Sequence, residues 1–175
     1  MTTYIGLLRA VNLAGRNTIS MAALRELVEG VGYSNVRTYI QSGNVLFTSP
    51  DRSRGRIESQ LETALATRGL TTSVMVRAGR DLERTIDANP FPDVDPKAIL
   101  VVFLKGKAPR TGPLDTSEHG PERVHALGRE LFVHYPNGLG RSKLTPALLE
   151  RVVGTPGTGR NWNTVNKLAE MSLTM

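Results

Sequence analysis

Residues 36–47 read VRTYIQSGNVLF. Val36, Thr38 and Ile40 alternate with Arg37, Tyr39 and Gln41, the two-residue period of a half-covered strand. Ser42 and Gly43 interrupt the run, and Val45, Leu46 and Phe47 resume it. Two β-rich runs joined by a short glycine turn predict a hairpin. Upstream, Tyr4 to Arg9 is short and apolar, the pattern of a buried strand. Ser20 is placed to cap a helix carrying Leu24, Leu27, Val28 and Val31 at helical spacing, with Gly32 as its stop. Downstream, Ile57, Leu61, Ala64 and Leu65 mark a second amphipathic helix ending near Gly69, and residues 72–76 supply a fourth strand. The order is βαββαβ, that of a ferredoxin-like half, assigned to residues 1–78.

Residues 79–175 give a weaker version of the same order. A short helix around Leu82 and Ile86 and the punctuation Asn89-Pro90-Phe91-Pro92 make residues 79–96 a connector. Ala98 to Leu104 is a strand rich in Ile and Val. Glu122 to Leu127 and Glu130 to Tyr135 pair as a hairpin across Gly128 and Arg129. Thr145 caps a helix with Pro146 in its first position, followed by Leu148, Leu149, Val152 and Val153. A last helix carries Val165, Leu168 and Ala169. The expected fold is α+β: tandem ferredoxin-like halves, the second a degraded repeat, with mostly antiparallel sheets. Element order alone carries this, since no sequence repeat is visible.

The 175 residues contain no cysteine, which excludes disulfides, thiolate catalysis and cysteine-bound zinc. No basic run leads into a long apolar stretch near Met1, so no signal peptide is expected. The longest apolar run, Ile99 to Leu104, cannot span a bilayer. A cytoplasmic protein without membrane partners is the expectation.

Four stretches lack any acid: residues 9–17, 35–49, 136–147 and 152–166. They hold Arg9, Arg16, Arg37, Arg141, Lys143 and Arg160; the other 16 basic residues face 16 acids, so the formal excess of +6 sits here. These stretches are also rich in amides, hydroxyls and glycines, which suits phosphate and suits proton transfer poorly. A solvated basic surface explains the charge equally simply. Topology brings two of the stretches together: in a βαββαβ sheet the end of strand one and the strand two–three turn share an edge. Arg9, Asn12, Asn17, Gln41, Ser42 and Asn44 would crowd that rim, with Gly43 at positive φ and Gly15 letting the loop approach closely. Arg141 and Lys143 precede the Thr145-Pro146 helix start, where a phosphate could sit. The glycine-rich residues 154–159 follow no expected strand and read as a flexible connector. Arg160 and Trp162 could hold a phosphate and stack on a base or sugar ring, with Asn163 beside them. Alternatively Asn163 caps the last helix and Trp162 fills a gap between halves.

His119, His125 and His134 lack ligand spacing, so no metal is expected, and no cofactor motif is present. No acid lies within the rim segments, which leaves no carboxylate base there. The preferred expectation is a protein binding a phosphorylated ligand or nucleic acid at a basic, amide-rich site between its halves. An enzyme acting on a small phosphorylated or acyl substrate is the alternative, with Tyr39 or a histidine moving the proton. A structural or interaction module is the third.

The strings Leu7-Leu8-Arg9-Ala10-Val11-Asn12, Thr38-Tyr39-Ile40-Gln41-Ser42-Gly43-Asn44-Val45 and Arg160-Asn161-Trp162-Asn163-Thr164-Val165 resemble the bacterial family called domain of unknown function 1697 (DUF1697), over nearly the whole chain. The resemblance implies an α/β fold with two ferredoxin-like halves and transfers no catalytic residues. Ala14-Gly15 stands where the family has two glycines, and Gly159 where it has alanine, departures that bear on loop geometry.

Overall fold

The computed structural model describes every residue except Arg16, so one of the six cations counted above lies outside the described residues. The chain forms two compact units, residues 1–83 with 168–175, and residues 84–167.

In the first unit β1 (Thr2–Leu8), α1 (Met21–Gly30), β2 (Ser34–Tyr39), β3 (Asn44–Ser49), α2 (Arg54–Thr67) and β4 (Val74–Ala78) follow in the expected order. The strands form one antiparallel sheet in the order β2-β3-β1-β4, the ferredoxin-like arrangement. Ser20 Oγ accepts the Ala23 N–H at 3.1 Å and starts α1 as expected. Leu24, Leu27 and Val28 of α1 and Ile57, Leu61 and Leu65 of α2 pack with Tyr4, Val45, Phe47, Val74 and Val76 into one core. Ile5, Leu7, Leu46 and Met75, which alternate with those strand residues, are equally buried. β2 stops at Tyr39, two residues before the expected run does. Ile40 takes φ 48° and is 48% exposed, so the branched residue that looked like strand opens the turn.

After α3 (Gly79–Asp87), the second unit holds β5 (Ile99–Leu104), β6 (Gly112–Leu114), β7 (Arg123–Leu127), β8 (Glu130–His134), α4 (Pro146–Val153) and β9 (Gly157–Asn161). The sheet order is β6-β7-β8-β5-β9, all antiparallel. Without β6, the order β7-β8-β5-β9 repeats β2-β3-β1-β4. The first helix of the motif is absent, and β6 with a short 3-10 turn at Ser117–His119 takes its place. Val102, Leu104, Val124, Leu131, Val133 and Leu149 form the core of this unit. α5 (Trp162–Leu173) follows β9 as α3 follows β4. No described helix is long and apolar enough to cross a membrane.

The glycine-rich connector needs correcting. Gly154 closes α4 in the left-handed conformation, φ 75°, and the chain enters β9 three residues later. Asn163 is not the cap of α5 either: Asn161 Oδ1 accepts the Thr164 N–H at 2.8 Å.

Candidate functional site

The end of β1 and the β2–β3 turn do meet. Leu8 N–H donates to Gly43 O at 2.9 Å, and Asn12 Nδ2 donates to Gln41 O at 2.8 Å. Gly43 is required by both conformation and space. Its φ is +75°, and an added Cβ would lie 2.4 Å from Val11 Cγ2 and 2.9 Å from Leu8 Cβ. Gly15 shares the positive φ but faces open space, so it serves the turn rather than a close approach.

The amides at this rim are largely spent on the fold. Asn12 Nδ2 also donates to Ile19 O at 3.0 Å, and Asn12 Oδ1 accepts the Ile19 N–H at 2.8 Å. Asn44 is fully buried and donates to Tyr39 O at 3.0 Å and Ser42 Oγ at 2.9 Å. Gln41 and Asn17 remain exposed, and Arg9 and Ser42 are half-buried. Arg9 and Asn17 line a hollow of about 350 Å³ with Thr72 and Ser73, and Glu62 lines it too. The expectation of an acid-free rim is thus corrected. Glu62 comes from α2, distant in sequence, and its Oε1 accepts the Val74 N–H at 2.8 Å.

In the second unit the predicted residues differ in exposure. Arg141 ends a 3-10 turn at Leu139–Arg141 and Lys143 follows two residues later, both exposed. The start of α4 has little left for an anion, because Thr145 Oγ1 accepts the Leu148 N–H at 3.2 Å and Pro146 has no N–H. Trp162 is half-buried at the first position of α5, and Asn163 is exposed. Arg160 is no surface cation. It is 6% exposed inside β9, and its Nη1 donates to Thr158 Oγ1 at 2.7 Å and Gly159 O at 2.8 Å. Burial pushes its guanidinium down to about 10. Arg77 occupies the matching place in β4, 1% exposed, and donates to Val76 O at 3.0 Å. Arg77 lies opposite Ile5 on β1, as Arg160 lies opposite Val101 on β5.

A larger hollow of about 610 Å³ lies in the first unit, lined by Thr2, Thr3, Arg52, Arg54, Arg80 and Glu83 among others. Arg54 Nη1 reaches Asp81 Oδ2 at 3.1 Å, and the same oxygen accepts the Ala78 N–H at 2.8 Å, so this guanidinium is held in place. Arg52 and Arg80 are exposed and hold no ion pair among the described residues. Nothing in the acid-free stretches pointed here. The signal available was Arg52, Arg54 and Arg56 at alternate positions, but Asp51 and Glu58 bound that acid-free run to residues 52–57, shorter than the four stretches above. Asp51 pairs with Arg56 Nε of this run at 3.5 Å and is not a wall of the hollow.

No curated protein matches the chain. It is similar to the solved structure of conserved bacterial protein SP0830 from Streptococcus pneumoniae, with TM-score 0.73, 25% identity and coverage of 98% of both chains. A family model described as protein of unknown function (DUF1697) matches residues 1–132. With three quarters of its length matched and both ferredoxin-like sheets in place, the chain belongs to the DUF1697 family.

Proposed function

We propose that this protein binds a small phosphate-bearing ligand in the arginine-lined hollow of its first unit. The observation that carries the reading is the convergence of Arg52, Arg54 and Arg80 on one concavity of about 610 Å³. That volume is in the range of small-molecule sites. Guanidinium forks match phosphate oxygens two at a time, and the Thr2 and Thr3 hydroxyls add neutral donors. Arg54 is pre-placed by Asp81, while Arg52 and Arg80 have charge to offer. Glu83 on the same wall favours a ligand with a donor group beside its phosphate, such as a sugar hydroxyl or base amine. Gln41, Asn17 and Arg9 make a secondary polar surface at the sheet rim, but its best amides are already bonded.

Calorimetry with inorganic pyrophosphate and a ribonucleoside 5′-diphosphate tests this, in low and moderate salt. Both should bind, and Arg52→Ala or Arg80→Ala should each weaken binding about tenfold, the worth of one charge-assisted contact. Lys143→Ala should change nothing. A generic oligonucleotide that binds instead, with steep salt dependence and equal losses at Lys143 and Arg52, would favour nucleic acid. Absence of binding by every probe would refute the reading.

A further inference from the structure

Glu122, just ahead of β7, is 8% exposed, and its Oε2 has no hydrogen-bond partner among the described residues. Burying a carboxylate oxygen without a donor is costly. Elsewhere this chain avoids the cost. Glu58 Oε1 accepts the Val76 N–H at 2.9 Å, and Glu150 Oε1 accepts the Gly157 N–H at 3.1 Å. Glu122 instead lines a hollow of about 380 Å³ whose walls include Phe91, Pro113, Leu114 and Val124.

Most donors around this hollow are engaged elsewhere, and His125, which also lines it, does not bond Glu122 Oε2. The Arg123 guanidinium lies 4.8 Å from the centre of the Phe91 ring and contacts His134 Nδ1 at 3.4 Å. Thr116 Oγ1 donates to the Glu122 carbonyl at 3.3 Å rather than to its carboxylate. The Ser117 N–H and hydroxyl both go to Asp115, at 3.1 and 2.7 Å. Tyr135 O–H, just outside the hollow, donates to Leu144 O at 2.9 Å. Gly120 makes the room: at φ +146°, an added Cβ there would sit 2.4 Å from Glu122 Oε2.

We propose that this hollow of the second unit binds an organic cation, an ammonium or guanidinium on an apolar stem, with the Glu122 carboxylate as its counter-ion. The stem lies along Phe91, Leu114 and Val124, and the cationic head balances the charge of the Glu122 carboxylate. The exposed Asp115 carboxylate adds negative potential at the mouth. This site is separate from the arginine-lined hollow, and Glu122 and Asp115 line it together with Arg123 and His125.

Amide-resolved NMR of the full chain, titrated with n-butylammonium, n-butylguanidinium and neutral n-butanol, provides the test. Either cation should shift amides 114–117, 120 and 122–125, and butanol should not. Which cation binds more tightly identifies the head group. Glu122→Gln, which breaks no protein hydrogen bond to Oε2, should fold normally and lose about tenfold or more in affinity. Equal shifts with butanol would overturn the proposal, as would unchanged binding by Glu122→Gln, or no shift with either cation, which would mean that water alone completes the carboxylate. Should Glu122→Gln fail to fold, the comparison of cation with butanol on the native chain remains decisive.

Discussion

Asn12 adopts φ 56°, a left-handed conformation that asparagine tolerates better than most side chains. Around it Ala10, Ala14 and Asn17 lie at φ 49°, 48° and 48°, and Ile40 across the rim at 48°. Each such residue costs on the order of 1 kcal/mol, so this loop persists only because something holds it. Asn12 does so through three hydrogen bonds to Ile19 and Gln41. Asn12→Ala should therefore lower stability by about 2–3 kcal/mol, from lost bonds plus a worse left-handed residue, and leave pyrophosphate affinity unchanged. Urea denaturation and calorimetry on the same sample check both halves. Arg160→Ala belongs to the same class: with its guanidinium bonded inside β9, it should cost about 2–4 kcal/mol without weakening anion binding. A stable Arg160→Ala protein that loses the ligand would return Arg160 to the site.

Among elements, β9 shows what a sequence hides. Glycine has low strand propensity, so Gly157-Thr158-Gly159 after a helix stop reads as loop. Both glycines lie against β5, Gly157 the more tightly. An added Cβ at Gly157 would meet Val102 Cγ1 at 2.7 Å, whereas at Gly159 it would meet Leu100 Cδ2 at 3.0 Å. Val102 is 1% exposed and stiff, while Leu100 is half-buried and can swing aside. Gly157→Ala should thus cost about 2 kcal/mol, and Gly159→Ala should be neutral or stabilising by up to about 1 kcal/mol, read as urea midpoints. A neutral or stabilising Gly157→Ala would mean that crowding by β5 does not dictate that glycine. By contrast α1, α4 and the β2–β3 hairpin were legible, because Ser20, Thr145-Pro146 and Gly43 are local signals that the tertiary fold does not override. The meeting of the β1 end with that hairpin was legible from topology alone. The arginine-lined hollow was not, since it joins Thr2, Arg52 and Arg80 from three separate segments. Glu122 was equally silent, because a buried acid without a donor looks in sequence like any other acid.

Across the whole chain, one order of strands is used twice, and residues 168–175 return to the first unit. Leu168 and Ala169 are 0% and 5% exposed, so these last residues are anchored rather than trailing. Within the first unit, Ser172 Oγ lies 2.7 Å from where a Gly79 Cβ would be, and Arg37 Nη1 donates to Thr174 Oγ1 at 3.3 Å. Ser172 and Leu173 also line the arginine-bearing hollow. Stability and anion binding should therefore depend together on a segment far in sequence from the arginines. A chain ending at Lys167 should melt well below the full chain and lose pyrophosphate binding. That result alone would not separate a missing wall from a weakened fold. Leu173→Asp separates them: Leu173 is 70% exposed, so the change should move stability by no more than about 0.5 kcal/mol. The new carboxylate would sit on the wall of the hollow beside Arg52 and Arg80, offsetting their field and competing for their donors. Pyrophosphate affinity should fall several-fold, and less so as salt screens the added charge. Unaltered affinity in Leu173→Asp would place the anion away from this wall, and with it the proposed site.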